Sequence, residues 1–426
     1  MTEPHNTAKA LSADLLVVGG GIAGMTAAIE ASEAGRAVIL VEQAPSLGGA
    51  VARMNQYFPK LCPPFCGMEI NYRRLRANER VRVLTLSEVE SVTGAPGNLR
   101  VRIKVKARHV NEKCTACGEC AKVCEIKRKN EHNFGMDETT AIYLPHEMAF
   151  PYRYVIDPAY VRDPRMKACV DACAYGAIDL DMQPQTINAQ VGAVIWATGW
   201  VPYDAAKMEN LGFGKIPNVI TNVMMERLAA QNGPTGGRIV RPGDGTPPKS
   251  IGFVQCAGSR DDNHLPYCSA VCCMATLKQA TYIRAQYSDA DIWVFYIDMR
   301  TPGRLEDFYQ QSQKDPKIHF IRGKVAKITS ADGTGDVTLE AEDTLSGKIH
   351  RETVSMAVLA TGMVPAAAAQ KPPVDISLDE YGFIAGESGN GIVGAGTAVR
   401  PEEVAAAVQD ATGAALKGLI AARGGD

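Results

Sequence analysis

The chain has 426 residues, of which 46% are hydrophobic, and a formal net charge of −2. This length predicts two or three domains, and the small net charge argues against a nucleic-acid partner. No uninterrupted apolar run approaches the roughly 18–20 residues that span a bilayer, and the polar N-terminus lacks the apolar centre of a signal peptide. We therefore expect a soluble, cytoplasmic protein that reaches the cytoplasmic membrane only through partner subunits.

The chain opens with a predicted strand, a glycine-rich turn, a helix and a second strand. Residues 14–18 form the first strand, residues 25–34 the helix and residues 37–42 the second strand. The turn has the pattern G-x-G-x-x-G, and an acid follows 18 residues after its last glycine. The glycines let a pyrophosphate approach the helix N-terminus, and the acid binds ribose hydroxyls. This pattern predicts a dinucleotide site at Gly19, Gly21, Gly24 and Glu42.

The residues that follow favour FAD over NAD. The segment P-S-L-G-G at residues 45–49 resembles the second phosphate-side segment of FAD-binding proteins of the glutathione reductase type. Two strands ending in A-T-G, at residues 197–199 and 360–362, resemble the places where such chains cross between the FAD domain and an inserted second domain. The further FAD contacts that we expect from this resemblance are Gly48, Gly49, Thr198, Gly199 and Gly362.

The C-terminal part resembles the last strand and helix of the same FAD domain. A glycine-rich segment at residues 391–397 precedes a small-residue helix predicted over 402–422. Gly396 and Thr397 are expected at the cofactor. Proteins of this type usually have Asp where this chain has Thr397, so the contact to the ribityl and phosphate region differs here.

A ferredoxin-type cysteine motif interrupts the FAD domain. Cys114, Cys117, Cys120 and Cys124 have the spacing C-x2-C-x2-C-x3-C, which wraps thiolates around a 4Fe-4S cluster. Clustered cysteines in a cytosolic chain are more often metal ligands than disulfides.

The fourth ligand of this cluster has two candidates. A second half-motif ends in Cys169 and Cys173 but lacks its first two cysteines. In two-half ferredoxins the last cysteine of one half crosses over to the other cluster. The ligand set is therefore either Cys114, Cys117, Cys120 and Cys173, which we favour, or the same three with Cys124. A complete second ferredoxin cluster is not expected.

Cys62 and Cys66 lie in a proline-rich segment and allow three interpretations. They form a redox pair near the flavin, they complete a further cluster together with Cys124 and Cys169, or they are inert cysteines in a turn fixed by proline.

A second group of cysteines stands where a nicotinamide-binding loop would be expected. The apolar strand 251–254 leads to Cys256, and Cys268, Cys272 and Cys273 follow at the start of a predicted helix. In a flavoprotein that binds two dinucleotides, this strand would deliver a glycine-rich turn to NAD(P)H. Four thiols there predict iron–sulfur chemistry instead of hydride transfer. A buried strand over 291–298 is consistent with a second α/β unit.

Taken together, these motifs resemble the A subunit of heterodisulfide reductase. The resemblance implies that Cys256, Cys268, Cys272 and Cys273 bind a non-standard 4Fe-4S cluster beside the flavin. It also places Lys278 near the flavin ring, where it would favour the reduced anionic form; a solvated helix lysine is the alternative.

Within this family, residues 58–71 and 134–151 most resemble the A subunit of the quinone-interacting membrane-bound oxidoreductase. That resemblance implies a complex with a membrane haem subunit and with a B-type subunit that carries flavin and iron–sulfur clusters. Such a complex links the quinone pool to adenylylsulfate reductase in dissimilatory sulfur metabolism.

The fold that we expect is α/β, with a Rossmann-like FAD domain of the glutathione and thioredoxin reductase type and two insertions. The FAD domain comprises residues 1–107, 186–249 and 351–426, the ferredoxin-like insertion 108–185 and the second α/β domain 250–350. The expected function is electron relay between FAD and clusters, with no proton-transfer catalyst among the side chains. The alternatives are an NAD(P)H-dependent reductase, a heterodisulfide reductase A-type subunit that splits electron pairs, and a scaffold with partly empty cofactor sites.

Overall fold

The computed structural model describes residues 11–58, 61–331, 333–385 and 389–424. The N-terminal segment 1–10 and residues 59 and 60, beside Cys62, lie outside this part of the chain. The α-helices within it, numbered along the chain, are α1 Ile22–Glu33, α2 Pro64–Ala77, α3 Glu119–Lys122, α4 Met166–Asp171, α5 Asn222–Ala229, α6 Cys272–Gln286, α7 Leu305–Lys314, α8 Ala366–Ala369 and α9 Val404–Ala421.

The strands are numbered in the same way. They are β1 Leu11–Val18, β2 Val38–Val41, β3 Val81–Leu84, β4 Ser87–Ala95, β5 Asn98–Val105, β6 Lys127–Lys129, β7 Glu138–Thr140, β8 Ile142–Tyr143, β9 Val155–Ile156, β10 Gln185–Trp196, β11 Trp200–Pro202, β12 Val219–Thr221, β13 Ser250–Ala257, β14 Asp291–Tyr296, β15 Ile318–Arg322, β16 Val325–Ser330, β17 Val337–Asp343, β18 Lys348–Val354, β19 Met356–Thr361, β20 Met363–Pro365 and β21 Ile392–Gly394.

The first sheet has the order β3-β2-β1-β10-β5-β4, and β21 pairs with β10. Strands β1, β2, β3, β10 and β21 run parallel, whereas β5 and β4 form an antiparallel edge. The second half of β1 is buried on both faces, which explains its continuous apolar sequence. Helices α1, α2 and α9 pack on this sheet through a core of small and aliphatic side chains. We call this part of the molecule the first unit.

The second sheet is entirely parallel, in the order β12-β19-β13-β14-β15. Apolar residues of α5 and α6 cover one face. The small antiparallel sheet β16-β17-β18 covers the other face. We call this part the second unit.

The strand pairing groups two segments differently from the expected domain boundaries. Residues 186–249 and 351–426 were both expected in the FAD domain. Strands β12 and β19, which lie in those ranges, are hydrogen-bonded within the second sheet. Their apolar sequences cannot distinguish one buried parallel strand position from another, so the sequence gives no indication of the sheet to which each belongs.

The chain passes between the two units twice, at adjacent positions. Strands β11 and β20 pair antiparallel, with Trp200 opposite Pro365 and Pro202 opposite Met363. Each follows one of the two A-T-G motifs directly. The two motifs therefore lie where the chain crosses between units, as the resemblance predicts.

The cysteine-rich insertion occupies the connection between β5 and β10. It contains two short strand pairs, β6-β7 and β8-β9, and the short helices α3 and α4. Aliphatic side chains and several cysteines form a core of its own. Across the described ranges, the helices all lack the combination of length and apolar character that a membrane crossing requires.

Candidate functional site

The glycine-rich turn joins β1 to α1 with very close backbone contacts. Gly19 has a φ of +106°, and a Cβ on Gly24 would overlap the Gly19 carbonyl oxygen. Gly21 caps α1 without any side-chain hydrogen bond, so the first amide groups of this helix remain available to an anion. The second glycine segment packs on the turn, since Gly48 N donates to Gly20 O at 2.9 Å and a Cβ on Gly49 would lie 2.9 Å from Gly21 Cα. These glycines fit a pyrophosphate group.

Glu42 lies directly after β2 and is held by backbone amide groups. Its carboxylate accepts hydrogen bonds from Gly20 N and, at 2.7 Å, from Ala44 N. Burial raises the pKa of Glu42, and the two amide donors oppose that shift. The carboxylate is thereby fixed beside the glycine turn, which is the position required for a ribose contact.

The ends of β10 and β21 bring Thr198, Gly199, Gly396 and Thr397 together. A Cβ on Gly199 would lie 3.6 Å from Thr397 Oγ1. The Thr198 hydroxyl is buried without a hydrogen-bond partner in the described part of the protein. Gly396 N donates to Asp410 Oδ2 at 2.7 Å. A buried hydroxyl without a partner is costly, and a bound FAD would supply polar atoms at this end of the sheet.

Gly362 lies away from this group. A Cβ there would overlap Ser259 Oγ and lie 2.8 Å from Ser269 Oγ, and its carbonyl accepts from Tyr203 N. Gly362 therefore packs against the loop between β13 and α6, which carries Cys268. Its A-T-G strand belongs to the second sheet, which explains the difference from the expected FAD contact.

Lys278 connects the two units and is not a solvated lysine. Its Nζ lies 3.0 Å from Glu226 Oε1, and the two side chains are only 5% and 8% exposed. Lys278 also donates to Gln56 O, while Glu226 Oε2 accepts from Asn55 N at 2.9 Å. Gln56 and Asn55 belong to the first unit, beyond its phosphate-side segment. The pair thus brings the lysine to the unit that carries the nucleotide-binding turn.

Four cysteines of the insertion line one small cavity. Cys114, Cys117, Cys120 and Cys173 surround it, together with apolar groups such as Ile142. Burial raises the pKa of Cys120 to about 11, and Cys114, Cys173 and Cys117 add to the shift. The Cys173 sulfur accepts from Ala177 N at 3.3 Å, a contact that stabilises thiolate sulfur. This arrangement supports the ligand set containing Cys173.

Cys124 lies elsewhere in the insertion and contacts Cys169. Burial and then the neighbouring Cys124 thiol raise the pKa of Cys169, and both side chains are buried in the core of the insertion. Cys62 and Cys66 lie instead beside Tyr57 at the start of α2, where burial and then the two cysteines raise the pKa of the tyrosine. The structure places these two pairs in different units of the chain.

The cysteines of the second unit form the other group of four. Cys256 lies in the bulge near the end of β13 with a φ of +55°, and Cys272 and Cys273 begin α6. Burial, followed by Cys273, raises the pKa of Cys256 to about 11; the pKa values of Cys272 and Cys273 are raised in the same way. Cys268 adds to each of these shifts, so the four thiols are mutual neighbours.

The surroundings of this group are polar on one side. Arg260 lies beside Cys256 and forms an ion pair with Asp298 at 2.6 Å. Cys268 borders a surface cavity of about 430 Å³ that Arg300 and Glu306 also line. The guanidinium groups favour thiolate over thiol, as an anionic cluster requires.

The two groups of four thiols fit polynuclear clusters better than single ions. In the described residues, no three His, Cys, Asp or Glu side chains converge tightly enough to hold one metal ion. A four-iron cluster takes one thiolate on each iron, so its ligands surround a larger volume. Each group would supply four such ligands. Thiol protons would be released on binding.

Several residues of the site were not predicted from the sequence. Glu226 and Gln279 hold Lys278 in place, with Gln279 Nε2 donating to Glu226 Oε1 at 2.8 Å. His132 and His146 of the insertion stack at 5.2 Å, and His146 Nε2 lies 3.2 Å from Ser46 Oγ in the phosphate-side segment. Burial lowers the pKa of His132 to about 2 and that of His146 to about 4, which keeps both neutral. None of these residues belongs to a short motif.

Comparison with known proteins agrees with the fold and with the first unit. A family model described as FAD dependent oxidoreductase matches residues 14–130. The fold is similar to that of thioredoxin reductase from T. acidophilum, with a TM-score of 0.52 at 14% identity over 96% of this chain and 98% of that chain. Lactococcus lactis thioredoxin reductase has a TM-score of 0.51 at 12% identity, over 96% and 99%. The expected fold class is confirmed.

Curated relatives are similar over most of the chain. The A subunit of H2:CoB-CoM heterodisulfide,ferredoxin reductase from Methanothermobacter marburgensis is 35% identical over 99% of this chain and 66% of its own length. An iron-sulfur A subunit of CoB–CoM heterodisulfide reductase from Methanopyrus kandleri is 37% identical over 96% and 64%. The A subunit of a ferredoxin/F420H2-dependent CoB-CoM heterodisulfide reductase from Methanosarcina acetivorans is 37% identical over 87% and 47%. The chain spans about half to two thirds of the length of these relatives.

The Thr198 hydroxyl provides a test of the FAD site. We expect Thr198→Val to weaken FAD binding about 5-fold, because one hydrogen bond contributes about 1 kcal/mol. Fluorescence titration of the FAD-depleted protein would measure the dissociation constant. Thr276→Val is the matched control, since its buried hydroxyl also lacks a partner among the described residues but lies on α6. Equal affinity of wild type and Thr198→Val would contradict the assignment.

The fourth ligand of the ferredoxin-type site is tested by two variants. We expect Cys173→Ser to lose about four irons per chain, since each cubane needs four thiolates. Cys124→Ser should keep them, because Cys124 lies outside the cavity. Iron and sulfide analysis of protein purified without oxygen would measure both. The opposite result would assign Cys124 as the ligand.

The buried ion pair predicts a large effect on stability. We expect Lys278→Met to lower the free energy of unfolding by about 3–5 kcal/mol, because it leaves the Glu226 carboxylate buried without its counter-charge. The double variant Lys278→Met with Glu226→Gln should recover much of that loss. Urea unfolding would measure each value. Lys167→Met is the control, since the pair of Lys167 with Asp171 is exposed and worth under about 1 kcal/mol.

Proposed function

We propose that this FAD-dependent oxidoreductase, a homologue of the heterodisulfide reductase A subunits, relays electrons as one subunit of a larger redox complex. The observation that carries the proposal is the pair of four-thiol groups, one in the insertion and one in the second unit, together with the nucleotide-binding turn of the first unit. FAD exchanges two electrons and clusters exchange one, so bound together they convert between the two modes.

The protein's own residues fix the positions of these groups. The amide groups at the start of α1 and the Glu42 carboxylate would bind the two halves of the dinucleotide. Thr198 and Thr397 face the same end of the first sheet. Helix α6 carries two thiols in its first turn and Lys278 about one and a half turns later. The second cysteine group and the flavin side of the molecule therefore share one rigid element.

A nicotinamide-dependent reductase is less well supported. Strand β13 occupies the position from which such proteins present a glycine-rich turn to a second dinucleotide. Here that turn holds Cys256, with its sulfur buried beside Cys273. Buried cysteines therefore stand where such reductases have the glycines of that turn.

The names of the relatives favour a role with heterodisulfide reductase-type partner subunits. We infer that the chain pairs with a B-type or equivalent iron–sulfur subunit that receives or supplies single electrons. The link to the quinone pool, to a membrane haem subunit and to adenylylsulfate reductase depends on the resemblance of residues 58–71 and 134–151 alone, and it is the second candidate.

The first experiment is cofactor analysis of the full chain purified without oxygen. We expect about eight irons, about eight sulfides and one FAD per chain, with two interacting cluster signals in EPR after dithionite reduction. Cys273→Ser should lose about four irons, and Cys66→Ser, which changes an exposed cysteine, should lose none. FAD without iron would overturn the relay and leave a simpler flavoprotein or a scaffold.

A second experiment distinguishes the two complexes. The tagged chain would be isolated from its native cells, and the co-purifying subunits identified by mass spectrometry. Heterodisulfide reduction by that complex supports the first role. Quinol oxidation coupled to adenylylsulfate reductase supports the second. Reduction of the protein-bound flavin of the isolated chain by NADH or NADPH would contradict both roles.

A further inference from the structure

We propose that Cys124 and Cys169 form a reversible buried disulfide at the position where a second ferredoxin cluster would be expected. This inference goes beyond electron relay, since it adds a site that exchanges two electrons as a dithiol and disulfide. It commits the two cysteines to each other and not to iron.

The two cysteines are neighbours in the core of the insertion, where α3 packs against α4. Their side chains are 5% and 0% exposed. The Cys124 sulfur also lies 3.7 Å from Ile126 O, which orients it in the core of the insertion. Both cysteines are reduced in this structure. A disulfide forms only between cysteines whose Cα atoms lie within about 7 Å of each other, and the packing of α3 on α4 brings these two into one buried cluster.

The remaining ligands of a second cluster are replaced by residues that cannot serve. The ferredoxin spacing that ends in Cys169 and Cys173 would place two further cysteines at positions 163 and 166. Met166 occupies one of them and is fully buried. Asp163 occupies the other, and Arg165 binds its carboxylate at 2.7 Å and lowers its pKa to about 2.

The volume around the pair is filled with protein. Ile126, Ile142, Ile156, Val161 and Met166 form one apolar cluster with Cys124 and Cys169. Iron and sulfide would have to displace these side chains, whereas a disulfide occupies less space than two thiols. The core therefore accommodates the sulfur–sulfur bond and excludes a cubane.

Access to the pair is provided by two short helices. Cys124 follows α3, which has four residues, and Cys169 lies in α4, which has six. Helices of this length open locally at small free-energy cost. We expect slow reaction with reagents in solution, controlled by this opening.

The chemistry is thiol–disulfide exchange with a low-molecular-weight disulfide. The Cys124 thiolate attacks one sulfur of that disulfide and releases one small thiol, giving a mixed disulfide. The Cys169 thiolate then displaces the second small thiol and forms the bond between Cys124 and Cys169. One external disulfide becomes two thiols, so atoms and electrons balance. A dithiol such as dithiothreitol reverses the reaction.

Peptide mass spectrometry of the full chain tests the proposal. Protein purified without oxygen would be incubated with oxidised glutathione, quenched in acid, alkylated and digested without reduction. Trypsin cuts after Lys122, which separates Cys120 from Cys124, and endoproteinase Asp-N cuts before Asp171, which separates Cys169 from Cys173. We expect one cross-linked peptide pair containing Cys124 and Cys169 in most chains, which dithiothreitol removes.

Variants keep the test independent of the proposed function. Cys66→Ser should retain the cross-link, and Cys169→Ser should abolish it while the iron content stays at the wild-type value. Absence of the cross-link in wild type would overturn the proposal. Loss of about four irons in both Cys124→Ser and Cys169→Ser would also overturn it, because it would make them cluster ligands. Absence of iron from the wild-type protein would overturn the proposed relay. It would leave the disulfide proposal standing, because the cross-link is detected from peptide masses.

Discussion

The arrangement of the whole site depends on one buried ion pair between Lys278 and Glu226. Burying two charges costs free energy unless hydrogen bonds satisfy them, and here partners from both units do so: Asn55 and Gln56 from the first and Gln279 from the second. Helix α6 begins with two cysteines and carries the lysine, so its rise of about 1.5 Å per residue sets the separation between thiols and the interface. In the proposed relay, electron transfer between flavin and cluster would require such a fixed separation.

Polar contacts connect the interface at Lys278 and Glu226 to the four cysteines of the second unit. Cys272 Sγ lies 3.6 Å from Thr361 O, Thr361 Oγ1 donates to Asn222 Oδ1 at 3.0 Å, and Gln279 Nε2 donates to Asn222 O at 2.9 Å. Strand β19 and helices α5 and α6 thereby hold one another at the edge nearest the first unit. A change at any of these side chains would be felt at both the thiols and the ion pair, because buried polar groups depend on each other for satisfaction.

Local motifs allowed the nucleotide-binding turn and both cysteine groups to be predicted, because each depends on residues close together in sequence. The preference for Cys173 over Cys124 also followed from ferredoxin spacing, and the cavity supports it. Long-range features were missed. Glu226 lies 52 residues before Lys278 with no motif to mark it. Gly362 was expected at the FAD from the resemblance of its A-T-G motif, whereas its strand lies in the second sheet. The sequence gives the residue types at positions 163 and 166. Only the structure shows that side chains fill the second half of the insertion.

The paired crossings at β11 and β20 bear on how this architecture could arise. Pro202 and Met363 stand opposite each other, so the chain between them leaves and re-enters the first unit at a single point. A short turn could replace that stretch and leave the Rossmann-like sheet closed. The second unit is therefore encoded by one continuous piece of coding sequence between the two crossings. A replacement would leave the glycine-rich turn of the first unit unchanged, and it would have to supply partners for the backbone groups of Asn55 and Gln56.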